Sequence, residues 1–76
     1  MNAKRRRQLK EVCDFLNKAA DTLECVIDDE QDSLDNTPEN LQFSESYGDR
    51  EEKIGDMMAV LDDIKSCSDS VSDFAI

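Results

Sequence analysis

"DNTPENLQFSES" (residues 35–46) interrupts an otherwise regular spacing of apolar residues, and what it joins decides the fold. Pro38 lacks a backbone N–H and disfavours helical geometry in the residue before it, so a helix arriving from the N-terminal side has to stop near Asp35. "TPEN" (37–40) then reads as a new start, with Thr37 as N-cap, Pro38 at the first helical position and Glu39 in the positive end of the helix dipole. After that single turn, Ser44 or Ser46 can cap another helix, and Ser46 with Asp49 three residues later has the form of a capping box. Leu41 and Phe43 are expected to fold inward beside Leu34 and Tyr47. The stretch is therefore a tight corner between two helices of similar length, which must lie antiparallel.

On the N-terminal side of the corner, apolar residues recur every seven positions. Leu9, Leu16 and Leu23 form one row, Val12, Ala19 and Val26 a second, and Cys13, Ala20, Ile27 and Leu34 a third. Rows three and four residues apart are neighbours on a helix, so together they make one apolar stripe, with Glu11, Asp14, Lys18, Asp21, Glu24 and Asp28 turned to water. No Gly or Pro breaks residues 3–35. A helix of about 30 residues is about 45 Å long.

The pattern returns after the corner. Ile54, Leu61 and Ala75 share a row in which Ser68 is the polar exception; Met57, Ile64 and Val71 make a second, and Val60, Cys67 and Phe74 a third. Gly55 costs roughly 1 kcal/mol of helix propensity and would permit close approach of a neighbouring backbone. The serine-rich end is a poorer helix former, and its last turns are expected to fray. No segment alternates with period two, so no strand is expected. The reading is one all-α domain over residues 1–76: helix one about 3–35, the corner 36–46, and helix two about 47–72, forming an antiparallel two-helix hairpin.

The corner also carries a resemblance. Asp35-Asn36, Pro38-Glu39, Leu41-Gln42 and Ser44-Glu45, set between two acidic heptad helices, resemble a group of small, mostly uncharacterised helical-hairpin proteins of bacteria and their phages. The resemblance implies a helical hairpin and an origin in a mobile element. It transfers no catalytic residue.

Seventy-six residues leave little interior for a core, so such a chain needs regular helix packing, self-association, a metal or disulfides. Cys13, Cys25 and Cys67 are odd in number, far apart and without a C-x-x-C, and there is no histidine, so neither a zinc site nor a disulfide framework is indicated. The acid-rich "DDEQDSLDN" (28–36) fails as a calcium loop, because the glycine needed at its sixth position is Ser33. No cofactor is expected. Cys13 and Cys67 are expected to be small core residues that approach each other across the hairpin, where oxidation can link them, whereas Cys25 falls on the wet face. Paired carboxylates and thiols do catalytic work only in a cleft or beside a base, and a hairpin offers neither, so no enzyme is expected.

The net charge is −10 and unevenly distributed. Residues 1–10 hold five cations and no acid, while residues 11–76 hold all nineteen acids against four cations, which leaves −15. Folding about the corner sets Lys4–Lys10 beside Asp62, Asp63, Asp69 and Asp73. Most of the surface repels phosphates, so nucleic acid and membrane are not expected as direct partners, and basic protein surfaces are. No segment is long and apolar enough for a bilayer or a secretory signal, which points to a cytoplasmic chain with reduced thiols, the host cytoplasm if phage-encoded.

Two surfaces are candidates for function. The first is acidic: Asp28, Asp29, Asp32 and Asp35 before the corner, with Glu45, Asp49, Glu52 and Asp56 arriving opposite. Duplex DNA carries one charge per roughly 1.7 Å and fifteen charges along about 45 Å give one per about 3 Å, so these carboxylates can imitate a phosphate track for a basic, nucleic-acid-binding target. The second is the apolar stripe, which at three rows in seven is wider than a two-stranded seam requires. A lone hairpin leaves part of Leu9, Val12, Met57, Met58, Val60 and Phe74 wet. Leu9, Val12, Leu16, Leu23, Met57, Val60, Leu61 and Ile64 are accordingly expected to join two hairpins into a homodimeric four-helix bundle. Two functions follow: an acidic, non-enzymatic protein-binding module, in its concrete form a phage inhibitor of a host defence protein, or an assembly protein that contacts only its own copies.

Overall fold

The computed structural model describes residues 1–75. Two long helices, α1 (Ala3–Asp35) and α2 (Glu45–Phe74), are joined by one turn of 3-10 helix at Glu39–Leu41. They pack against each other as a hairpin 60 Å long and 15 by 12 Å across. Among the described residues there is no strand.

Each end has a local cause. Asn2 sits in extended backbone before α1, and its side chain accepts the Arg5 N–H at 2.9 Å, satisfying one of the free donors of the first turn. At the other end of α1, the carbonyls left without helical partners are taken up by the corner. Asn36 donates to the Asp32 carbonyl through its backbone (3.1 Å) and its side chain (2.8 Å), and the Thr37 N–H donates to Leu34 at 3.1 Å. No described residue other than glycine has a positive φ, and neither glycine does, so the corner turns without a left-handed residue.

Five details differ from the sequence reading. Thr37 is no N-cap: its hydroxyl donates back to Ser33 at 3.2 Å, and Pro38 itself precedes the 3-10 turn, which has no side-chain cap. Of the two serines expected to cap α2, Ser44 does so, accepting the Tyr47 N–H at 3.2 Å, and α2 therefore begins at Glu45, earlier than about residue 47, with Ser46 inside it. Leu41 and Phe43 point outward, Phe43 being 94% exposed, because the 3-10 turn swings both away from Leu34. α2 runs through the serine-rich end to Phe74, beyond the expected end near residue 72, along a seam that continues through Ser68, Val71 and Ala75. A Cβ added at Gly55 would meet nothing, so no backbone approaches there.

The core is one line of side chains. Ala20, Ile27, Leu34, Ile54 and Leu61 are buried, and Leu23, Tyr47, Met57 and Ile64 pack against them. Along α1 the seam positions run Leu9, Cys13, Leu16, Ala20, Leu23, Ile27, Glu30, Leu34, alternating steps of four and three, with Gln31 half-buried beside them. Along α2 they run from Tyr47 through Arg50, Ile54, Met57, Leu61 and Ile64 to Ser68, Val71 and Ala75 with the same alternation. That spacing averages 3.5 residues per turn and keeps a narrow seam facing its partner, as in an antiparallel coiled coil. Fully burying a Leu, Ile or Met side chain of this seam contributes about 1.5–3 kcal/mol.

Two polar layers fix the register. Near the corner, Arg50 Nε pairs with Glu30 Oε1 at 2.9 Å and its terminal nitrogen donates to Ser33 Oγ at 2.8 Å. Near the termini, the buried Ser68 hydroxyl donates to Asn17 Oδ1 at 2.9 Å, and Cys13 Sγ lies 3.6 Å from the Ser68 carbonyl as donor. Sliding one helix by a heptad separates all of these partners and leaves polar groups against apolar ones.

Candidate functional site

With the seam settled, the remaining apolar rows can be placed. α1 and α2 are antiparallel and share one alternation, so they are related by an approximate two-fold axis perpendicular to the plane of the hairpin. Equivalent rows therefore lie on the same edge. One edge is formed by the residues that immediately precede the buried row of each helix: Val12, Ala19 and Val26 on α1, with Val60, Cys67 and Phe74 on α2. The opposite edge carries Asn17, Glu24 and Gln31 against Glu51, Met58 and Lys65. The first edge is apolar and exposed; the second is mostly polar.

Phe15 widens the apolar edge. It is 72% exposed and lies one position around α1 from the Val12 row, so that Val12, Phe15, Ala19, Thr22 and Val26 repeat the three-four alternation of the seam itself. Sequence reasoning missed this second seam because Phe15 belongs to none of the three sevenfold rows and Thr22 interrupts its own. The available signal was the alternation read from Val12 rather than from Leu9.

The residues expected to join two copies divide between these places. Leu61 is buried inside the hairpin, Leu23, Met57 and Ile64 pack on its core, and Leu9 and Leu16 are half-buried along the seam. Val12 and Val60 are exposed on the apolar edge. Of the others expected to be wet, Met58 and Phe74 are exposed and stand on opposite edges.

All eight candidate acids are exposed. They do not form one face: Asp29, Asp49 and Asp56 lean toward the apolar edge, Asp28 and Asp35 toward the polar one, and Asp32, Glu45 and Glu52 lie on the outer backs of the helices. The carboxylates thus wrap the corner half. Residues 19–61 hold thirteen acids and two cations, whereas residues 1–18 and 62–76 hold six acids and seven cations. The rod is a charge dipole, near-neutral at the termini and strongly negative at the corner. Arg50–Glu30 is the one ion pair among the described residues, and Lys4–Lys10 make none with the acids of α2; Arg6 instead donates to the Met1 carbonyl at 3.0 Å.

A shallow open groove lies near the termini, lined by Lys10, Cys13, Asp14, Ser72 and Ala75. The three thiols are free; Cys13 is half-buried, Cys25 and Cys67 exposed. Among the described residues no three His, Cys, Asp or Glu side chains are grouped to hold a metal ion, and no helix is long and apolar enough to cross a membrane. No protein-family model, no curated protein and no solved structure matches this chain.

Proposed function

We propose that this chain is a non-enzymatic binding module whose corner half presents carboxylates to a basic protein surface. Its concrete form is an inhibitor, encoded by a phage or other mobile element, that occupies the nucleic-acid groove of a host defence protein in the host cytoplasm. The observation that carries this reading is the segregation of charge: eleven net negative charges lie on half of a 60 Å rod, about one per 2.7 Å against roughly 1.7 Å in duplex DNA. The hairpin holds them on rigid helices, so they are spaced rather than collapsed.

The test is competitive binding. A protein captured from host lysate by the immobilised chain is expected to be displaced by duplex DNA and by raising the salt, since exposed charge pairs are screened. Capture should fall when Asp28, Asp29, Asp32 and Asp35, or Glu45, Asp49, Glu52 and Asp56, are changed to amides. Undiminished capture by both variants would sink the reading.

The exposed apolar edge favours a second reading, assembly through copies of the same chain. Its simplest product is a homodimeric four-helix bundle, which would bury the edge. Sedimentation of the chain across a concentration range tests it. The two readings are compatible, because the charge and the apolar edge occupy largely different surfaces.

A further inference from the structure

We infer that the second copy docks on the apolar edge in one orientation and register, antiparallel about a two-fold axis at the level of Asn17; this inference rests on the self-association reading for the existence of a second copy. The edge has the form of a second coiled-coil seam on α1, with Arg5 and Gln8 continuing it toward the N-terminus and Asp29 toward the corner. In an antiparallel pair of such seams, the two alternating rows pair with each other in layers. With the axis at Asn17, Phe15 falls opposite Ala19 of the second copy, Val12 opposite Thr22, Gln8 opposite Val26, and Arg5 opposite Asp29. Each layer occurs twice, as a two-fold interface requires.

Size and charge select this register. Phe15, the largest exposed side chain of α1, meets the smallest member of the row, the large-against-small arrangement that fills a layer without a void. The one cation and the one acid of the row meet each other. Sliding by one heptad in one direction sets Val12 against Asp29; sliding in the other leaves Val26 opposite Met1, outside α1. The larger dipole agrees, since the antiparallel orientation lays the basic N-terminal turn of each copy beside the acidic segment before the other's corner, and a parallel one would stack the acidic halves.

The second helix supplies a probe of this axis. Cys13 Sγ lies 3.6 Å from the Ser68 carbonyl, so Cys67 sits near the level of Asp14, on the apolar edge and about 4.5 Å along the rod from Asn17. The axis then leaves Cys67 of one copy about 9 Å along the rod from Cys67 of the other, within reach of a short cross-linker. Four helices pack as a square with every neighbour antiparallel. The corners overhang at both ends, which leaves Glu45, Asp49 and Glu52 open to a target while Asp29 and Asp56 are covered.

The experiment uses the full chain, first reduced and then freed of reductant, by sedimentation and by thiol cross-linking with a short bis-maleimide. Expected is a mass twice the 8.6 kDa of one chain, with a covalent dimer that survives Cys13→Ser and Cys25→Ser together and disappears with Cys67→Ser. Arg5→Asp and Asp29→Arg should each weaken the dimer several-fold, and the double swap should restore it; circular dichroism on each variant reports whether the hairpin is still folded. A doubled mass without Cys67 cross-linking, or a double swap no better than the singles, overturns this face and register while self-association stands. A mass of one chain at every concentration overturns both.

Discussion

The two edges of the hairpin flank the same seam, ride on the same two helices and lie equally close to solvent, yet one is polar and the other apolar. On the polar edge Asn17 reaches into the seam to satisfy Ser68, the half-buried Gln31 donates to Asp35 at 2.9 Å, and Glu24, Glu51 and Lys65 stay in water. On the apolar edge Val12, Val26, Val60 and Phe74 stand exposed, Phe74 at 63%. A protein that had only to fold would gain nothing from this asymmetry, because neither edge belongs to the core. The difference teaches that exposure within one hairpin does not mark a surface as finished.

The contrast breaks most completely if the seam that defines both edges is removed. Ile27→Ala truncates a side chain that is 4% exposed and should destabilise the hairpin by about 2–5 kcal/mol, read from urea unfolding followed by circular dichroism. An unchanged midpoint would mean that Ile27 is not in the core. On the polar edge, Asn17→Ala strands the buried Ser68 hydroxyl and should cost about 1–3 kcal/mol, whereas Asn17→Ala with Ser68→Ala should recover part of that loss. Equal melting of the single and double variants would show that the bond does not form.

Ser44→Ala, at the origin of the helix that carries Val60, Cys67 and Phe74, should cost about 1 kcal/mol in a thermal melt, and Ser46→Ala much less. The reverse order would return the cap to Ser46. The smallest change in fold stability separates the edges themselves. Met58→Gln and Val60→Gln, on opposite edges, should each shift the stability of the monomeric hairpin by less than about 0.5 kcal/mol. Only Val60→Gln should lower the sedimenting mass; equal behaviour of the two would erase the contrast.

Several structural features were already legible along the chain. Pro38 with the serine after it locates the corner, and the sevenfold rows locate two antiparallel helices. What misled the reading at the corner was local ambiguity. Thr37, Ser44 and Ser46 all have a side chain suited to capping, and which one caps depends on where the backbone turns, not on residue type. Leu41 and Phe43 show the same limit: their apolarity predicts burial, but a single 3-10 turn does not carry them back over Leu34. The candidate acids were visible as a count, while their wrapping of the corner required knowing which row each occupies.

The sequence by itself determined that there are two helices, that they fold back on each other and that charge divides the rod into unlike halves, because proline geometry, helical period and formal charge are properties of residues and their spacing. Only the tertiary structure decided which two of the three apolar rows each helix turns inward, because that choice depends on the partner helix's register, fixed here by Arg50 with Glu30 and by Ser68 with Asn17. The row left over on each helix is the apolar edge.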